Sequence, residues 1–142
     1  MLNKEYRFSL MIYADYNATA PILPEVFSAM KPFLTSEYGN PSSNSSLGQT
    51  ASDAVEKARL QIASLINAKA SEVVFLSGGT ESCFQALMGS YLAGARKYAS
   101  VRSEHTAVLR TLELLSAEPF SAKVEYLPLQ ANGSLESSDF LM

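Results

Sequence analysis

Cysteine and histidine are almost missing from this 142-residue sequence, which contains one of each, Cys83 and His105, and no tryptophan. A single cysteine excludes an internal disulfide, and one cysteine with one histidine leaves a zinc ion without a natural set of ligands. So little cysteine is typical of a reducing compartment. We therefore predict a cytoplasmic protein without a metal site.

An excess of positive charge and long apolar segments are missing too. Lysine and arginine total 11 against 14 aspartate and glutamate residues, so we expect no nucleic-acid partner. No apolar run approaches the roughly 20 residues that span a bilayer, and we expect no membrane association. The apolar residues 8–12 form a shorter run than a signal-peptide core and precede no small-residue cleavage site. We interpret them as a buried first strand of a protein that is not secreted.

The composition that remains is that of an ordinary globular domain, 47% hydrophobic and 18% charged. Pro24 starts a helical pattern that continues to Leu34, and Pro32 is predicted to kink this helix or end it early. Residues 38–46, rich in serine and asparagine, suit either a flexible linker or an ordered functional loop, and their length favours the ordered loop. Residues 47–68 have the longest helical periodicity in the chain.

Residues 73–82 combine an apolar run, a Gly-Gly-Thr turn and the start of a helical pattern. The apolar residues 73–76 predict a strand that is buried on both faces. Gly78 and Gly79 allow a tight turn close to a ligand, and Thr80 is predicted to cap the helix that follows. Because a helix N-terminus attracts anions, the segment suits a phosphate, although a strand-to-helix turn without a ligand fits the same pattern.

The rest of the chain alternates between helical and extended patterns. Alternation of this kind predicts parallel strands in an α/β fold, here a partial, mostly parallel sheet with helices on both faces. Three strands after residue 70 leave such a sheet poorly covered, so we expect the chain to be unfinished. The elements predicted are a helix over residues 80–93 stopped by Gly94, a strand over 98–101, a helix over 106–115, a strand over 123–127, a turn at 132–133 and the start of a helix at 137–139.

Four segments in order resemble the cysteine desulfurases, which are pyridoxal-phosphate enzymes of the class V aminotransferase family. Residues 13–21, YADYNATAP, are similar to the family's opening Y-L-D-N-N-A-T-T-P, and residues 38–43, YGNPSS, to its F-G-N-P-S-S loop. Residues 75–82, FLSGGTES, look like F-T-S-G-[GA]-T-E-[SA], and residues 103–109, SEHTAVL, like x-E-H-x-A-V-L. Four motifs at compatible spacings are a specific signal, whereas the glycine turn alone is a weak one.

The resemblance implies the N-terminal part of a fold-type I enzyme that uses pyridoxal 5'-phosphate. In that family the glycine turn holds the cofactor phosphate, which implies cofactor-binding roles for Gly79 and Thr80. The histidine of E-H stacks on the pyridine ring and assists proton transfer, which implies that role for His105. The resemblance further implies residues 1–20 in the smaller domain or the dimer contact, and residues 21–142 as an incomplete cofactor-binding large domain.

The resemblance covers about the first third of a typical family member. The family's Schiff-base lysine, its pyridine-pairing aspartate and its persulfide cysteine all come later, so we assign no catalytic residue here. We expect no activity from this chain alone, and weak or absent binding of pyridoxal phosphate. The complete family members convert cysteine to alanine and pass its sulfur on as a persulfide. Their partners are the substrate cysteine, a second copy in a homodimer and a sulfur-acceptor protein, for example in iron–sulfur cluster assembly.

Two positions differ from the family pattern within the shared part. Ser45 stands where the loop motif has histidine, and Phe84 stands where the helix after the turn has asparagine. Cys83 is not the persulfide cysteine, and we interpret it as a small buried hydrophobic residue. Two alternatives stay open: a truncated non-catalytic remnant or interaction module, and a related class V aminotransferase or selenocysteine lyase.

Overall fold

The protein is described by a computed structural model that covers residues 12–136. It divides into two compact units between Val73 and Val74. Over the described residues the first unit is helical, and the second contains both helices and a small sheet. The elements are α1 (Pro24–Thr35), α2 (Ser46–Leu65), a 3-10 turn (Ala70–Glu72), α3 (Gly79–Leu92), β1 (Lys97–Ser100), α4 (Thr106–Ser116) and β2 (Lys123–Tyr126).

In the first unit α1 begins with Pro24, whose fixed φ suits the first helical position. Pro32 does not end the helix early, which was one of the two effects predicted for it, since α1 continues to Thr35. A proline this near the C-terminus removes only one backbone donor. The carbonyl of Pro32 still accepts hydrogen bonds from the N–H groups of Ser36 and Glu37, which close the last turn.

Helix α2 has defined caps at both ends, and the sequence predicts its extent to within a turn. The hydroxyl of Ser45 accepts a hydrogen bond from the Gly48 N–H over 3.1 Å and caps the N-terminus. At the other end Asn67 has a φ of 54°, and the N–H groups of Asn67 and Ala68 bond back to the carbonyls of Ser64 and Ala63. The buried side chains of α2 are small, Ala51 and Ala63.

The loop before α2 is ordered, as its length predicted. Asn40 forms an Asx turn, because its side-chain oxygen accepts the Ser42 N–H over 2.9 Å and its carbonyl accepts the Ser43 N–H over the same distance. The loop also lies tight against α2, since a Cβ on Gly48 would approach the Ser43 carbonyl oxygen to 2.2 Å. Whether this loop takes part in function stays a prediction.

The second unit is built on a β–α–β arrangement. Strands β1 and β2 run parallel with Lys97 opposite Lys123, and α4 connects them. Leu112 and Leu115 of α4 are completely buried, and Ala122 and Leu127 at the two ends of β2 complete this core. The parallel sheet and the α/β class agree with the sequence prediction.

Helix α3 packs against α4 and is tied to β1. The Tyr98 hydroxyl of β1 lies 3.1 Å from the Ser90 hydroxyl and donates to the Leu87 carbonyl, both in α3. Gly94, with a φ of 111°, follows the helix and stops it, as its sequence position predicted. The Ala95 N–H then bonds to the Ser90 carbonyl and closes the helix end.

The strand predicted over residues 73–76 is wrong. This segment belongs to no strand, and Val74 and Phe75 are 66% and 44% exposed rather than buried. Val73 does have extended backbone, with φ −101° and ψ 123°. Val73 alone is thus shown to be extended, and membership of a sheet depends further on pairing with another strand.

Two further predictions lie wholly or mostly outside the described residues: the first strand at residues 8–12, of which only Ile12 is described, and the helix start at 137–139. The turn at Asn132 and Gly133 is present, with a φ of 82° at the glycine. Within residues 12–136 the structure contains no helix that is both long enough and apolar enough to span a membrane.

Candidate functional site

The turn before α3 exposes a set of backbone donors. Helix α3 starts at Gly79 with Gly78 as its N-cap, and its first hydrogen bond runs from the Ser82 N–H to the Gly78 carbonyl over 3.0 Å. The N–H groups of Gly79, Thr80 and Glu81 precede that bond and have no acceptor among residues 12–136. Unpaired donors at the positive end of a helix dipole attract an anion.

Thr80 is not the helix cap that the sequence predicted. It is the second residue of α3, and the N-cap, Gly78, has no side chain with which to accept a hydrogen bond. Helix α3 begins at Gly79, one residue before Thr80, so Thr80 lies inside the helix and cannot be its N-cap. The Thr80 hydroxyl is therefore exposed beside the backbone donors, in a position to bind a ligand rather than its own helix.

Glu81, in the first turn of α3, reaches back to the residue before the N-cap. Its carboxylate accepts the Ser77 N–H over 2.7 Å and the Ser77 hydroxyl over 2.6 Å. The hydrogen bond from the Ser77 hydroxyl, followed by that from the Ser77 N–H, holds the pKa of Glu81 below its ordinary value of 4.5. The carboxylate is thus ionised at neutral pH and lies in the first turn of α3, where a negative charge is favourable.

His105 is the N-cap of α4. Its Nδ1 accepts the Ala107 N–H over 3.1 Å, so the neutral ring carries its proton on Nε2. The ring is exposed rather than packed in the core. The imidazole therefore has one nitrogen fixed by the helix and the other available, together with a ring face.

Thr80 and His105 line the same cleft, which has a volume of about 660 Å³. Gly79 is not among the lining residues, but its N–H is adjacent to that of Thr80 at the start of α3. Both charge signs border the cleft through Glu81 and Arg110, and the Arg110 guanidinium also pairs with Glu113 at 2.8 Å. The complete lining is Ser77, Thr80, Glu81, Phe84, His105, Thr106, Ala107, Arg110, Thr111 and Leu114.

Several of these residues are not among the sequence-predicted site residues. Glu81 could have been found from its spacing, because an acid at the third position of a helix often reaches back to the residues before it. Arg110 and Phe84 carry no comparable signal, since only the packing of α3 against α4 brings them to one cleft. Cys83 is half-buried, so its predicted burial holds in part.

Ser45, at the position of the family's histidine, has a structural role in this chain. It caps α2 through the Gly48 N–H, and its hydroxyl lies 3.2 Å from that of Ser43. His105 is the N-cap of α4, so serine and histidine both serve as helix N-caps in this protein.

Comparison with known proteins gives one family. The family model described as Aminotransferase class-V matches residues 12–142. The cysteine desulfurase IscS of Neisseria gonorrhoeae is 45% identical over 129 residues, covering 88% of this chain and 31% of that protein. The cysteine desulfurase IscS of Methylococcus capsulatus is 44% identical over 135 residues, covering 92% and 33%. The chain thus spans about a third of the length of the curated relatives it matches.

Solved structures agree with this result. A NifS-like protein superposes with a TM-score of 0.81 at 31% identity, over 92% of this chain and 36% of the other. SspA in complex with cysteine gives 0.79 at 31% identity, over 89% and 37%. DndA from Streptomyces lividans gives 0.64 at 35% identity, over 82% and 33%.

Proposed function

The chain belongs to the class V aminotransferase family, where it corresponds to the N-terminal portion of a cysteine desulfurase, and we propose that it supplies the phosphate-binding turn and the ring-stacking histidine of such an enzyme. The resemblance seen in the four sequence motifs is confirmed, as is the fold-type I α/β class. Family members depend on pyridoxal phosphate. The roles of individual residues below are our proposal.

The observation that carries the proposal is the donor set at the start of α3. Three backbone N–H groups without an acceptor in the described part of the chain adjoin the exposed Thr80 hydroxyl, and His105 lines the same cleft. A dianionic phosphate needs several such donors, and an aromatic ring needs a flat face to stack on. The residues present therefore fit pyridoxal phosphate, with Gly79 and Thr80 holding the phosphate and His105 lying against the ring.

When bound, pyridoxal phosphate supplies an electron sink for bonds at the substrate's α-carbon. The contribution of this chain is binding and orientation. The backbone donors of Gly79 and Thr80 hold the phosphate at the N-terminus of α3, and the α4 cap fixes the His105 ring through Nδ1. Nε2 of His105 is then the atom that can hold or deliver a proton.

The wider features of the enzyme are proposed on the same premise. Cysteine is the substrate, which agrees with SspA having been solved in complex with cysteine. The complete protein acts as a homodimer in the cytoplasm and passes sulfur to an acceptor protein. Residues 1–20 serve the smaller domain or the dimer contact, and residues 21–142 form part of the large domain. The Schiff-base lysine and persulfide cysteine are not in this sequence, so this chain alone does not desulfurate cysteine.

The proposal is tested by titrating the ¹⁵N-labelled 142-residue chain with pyridoxal phosphate and following the amide resonances. We expect shifts at Gly79, Thr80, Glu81 and His105. The dissociation constant should be roughly millimolar, since the site binds without a covalent anchor. Thr80→Ala should weaken binding, whereas Thr50→Ala, which changes an exposed threonine of α2, should not. Shifts elsewhere, or binding that ignores Thr80→Ala, would contradict the proposal.

A further inference from the structure

We propose that Glu81 is the positioning residue of the phosphate-binding turn: by holding both donors of Ser77 it fixes the glycine pair so that the backbone N–H groups of α3 face the ligand. This inference rests on the proposed function. It assigns to Glu81 a task beyond ordinary helix capping, because the residue it holds lies on the far side of the two glycines.

The geometry supports this through two hydrogen bonds to one residue. The Ser77 N–H and the Ser77 hydroxyl both donate to the same carboxylate oxygen, at 2.7 Å and 2.6 Å. Hydrogen bonds to an ionised acceptor are the strong class. Ser77 is thereby fixed to the first turn of α3, four residues further along the chain.

The glycines make this anchoring necessary. Gly78 and Gly79 have no side chains, and a Cβ on either would meet no atom within 4 Å, so the space beside both residues is open. Two consecutive glycines lose much conformational freedom when they are ordered. The hydrogen bonds from Ser77 to Glu81 form a bridge that spans both glycines. They order the turn before a phosphate binds, which lowers the entropy cost of binding.

The same bridge decides which groups are left for the phosphate. Because both Ser77 donors are engaged, Ser77 does not supply its hydroxyl, and the ligand is left with the N–H groups of α3 and the Thr80 hydroxyl. The negative charge of Glu81 repels a phosphate, while the positive charge of Arg110 attracts one. Both residues line the cleft, together with His105. Positioning and repulsion therefore act in opposite directions at Glu81, and substitutions can separate them.

The test compares Glu81→Ala and Glu81→Gln in the 142-residue chain, with pyridoxal phosphate as the probe. Glu81→Ala removes the bridge, so we expect the dissociation constant to rise about tenfold and exchange of the Ser77 amide hydrogen to accelerate at least about tenfold. Glu81→Gln keeps an acceptor for Ser77 and loses the repulsion, so it should bind at least as tightly as the unchanged chain. If Glu81 acted only through its negative charge, both variants would bind pyridoxal phosphate more tightly. Weaker binding by Glu81→Ala together with retained binding by Glu81→Gln therefore identifies a positioning role.

A matched control is available in the 3-10 turn of the first unit. The Glu72 carboxylate accepts a hydrogen bond from the Lys69 N–H over 2.7 Å. Glu72→Gln should leave the affinity for pyridoxal phosphate unchanged. Ser77→Ala, which removes one of the two donors, should give a smaller loss than Glu81→Ala and serves if that variant fails to fold. Tighter binding by Glu81→Ala, or unchanged exchange at Ser77, would overturn the inference. Ser77 exchange is measured without ligand, so it tests Glu81 even if the chain binds no phosphate and the proposed function itself fails.

Discussion

At the residue scale, His105 illustrates how one side chain serves both structure and chemistry. Its Nδ1 caps α4 through the Ala107 N–H, while the ring lies exposed on the cleft that Thr80 also lines. The cap sets the tautomer and the ring orientation before any ligand is present. A loss of function at this position is therefore ambiguous unless capping and ring stacking are separated.

His105→Asn and His105→Ala separate the two roles. Asparagine restores a side-chain acceptor at the N-cap, whereas alanine removes it, so Ala should destabilise the first turn of α4 by about 1 kcal/mol and Asn by much less. Amide hydrogen exchange in that turn measures the difference. Both variants lack the imidazole, so both should lose the ring-dependent part of pyridoxal phosphate binding. Equal exchange in the two variants would show that the Nδ1 contact does not stabilise the helix.

At the scale of elements, the helices of this protein are defined largely by their ends. Ser45 and His105 supply side-chain caps, and Asn67 and Gly94 supply left-handed residues that stop α2 and α3. These signals are local, which is why the sequence predicts helix positions well. The fit of the 38–46 loop against α2 is a different kind of constraint, since it requires close approach of two backbones.

Gly48 and Gly89 give a matched pair of helix glycines for testing that constraint. A Cβ on Gly48 would lie 2.2 Å from the Ser43 carbonyl oxygen and 2.8 Å from that of Asn40, whereas a Cβ on Gly89 meets nothing within 4 Å. Gly48→Ala should destabilise α2 and its loop by about 2 kcal/mol or more, because backbone must move. Gly89→Ala should stabilise α3 by roughly 0.5–1 kcal/mol, because alanine has the higher helix propensity.

The measurement for this pair is amide hydrogen exchange in α2 and α3, read as the free energy of local opening. If Gly48→Ala left protection in α2 unchanged, the loop would not be packed against the helix as described. If Gly89→Ala lowered protection in α3, that face of the helix would be covered in solution.

At the scale of the whole molecule, little large apolar surface is buried within residues 12–136. Leu112 and Leu115 are the only large side chains there that are fully buried, while Leu65, Leu92 and Leu34 are 86%, 76% and 66% exposed. The sheet among these residues has two strands. Apolar burial is the main favourable term in folding, so residues 12–136 taken alone have a weak basis for a cooperative fold.

We therefore expect the isolated 142-residue chain to associate as its concentration rises and to unfold over a broad temperature range, so ligand binding and amide exchange are measured in dilute samples well below that range. Size-exclusion chromatography with light scattering and differential scanning calorimetry measure this. A monodisperse sample with a single sharp transition would favour the alternative of an independently folded interaction module over part of a larger enzyme.

Much of this protein is determined by its sequence alone. The start of α1 at Pro24, the extent of α2 to within a turn, the stop after α3 at Gly94 and the turn at Asn132 and Gly133 all follow from residues close together in the chain. Interactions of this kind involve neighbours within about four positions, so a linear pattern is enough to predict them.

Only the tertiary structure decided the remaining features. Residues 73–76 are not a strand, because strand formation depends on a partner that periodicity does not specify. Phe84 and Arg110 reach one cleft through the packing of α3 on α4. The physical reason is common to both: local preferences choose among conformations of a segment, while pairing and packing between segments choose which groups meet.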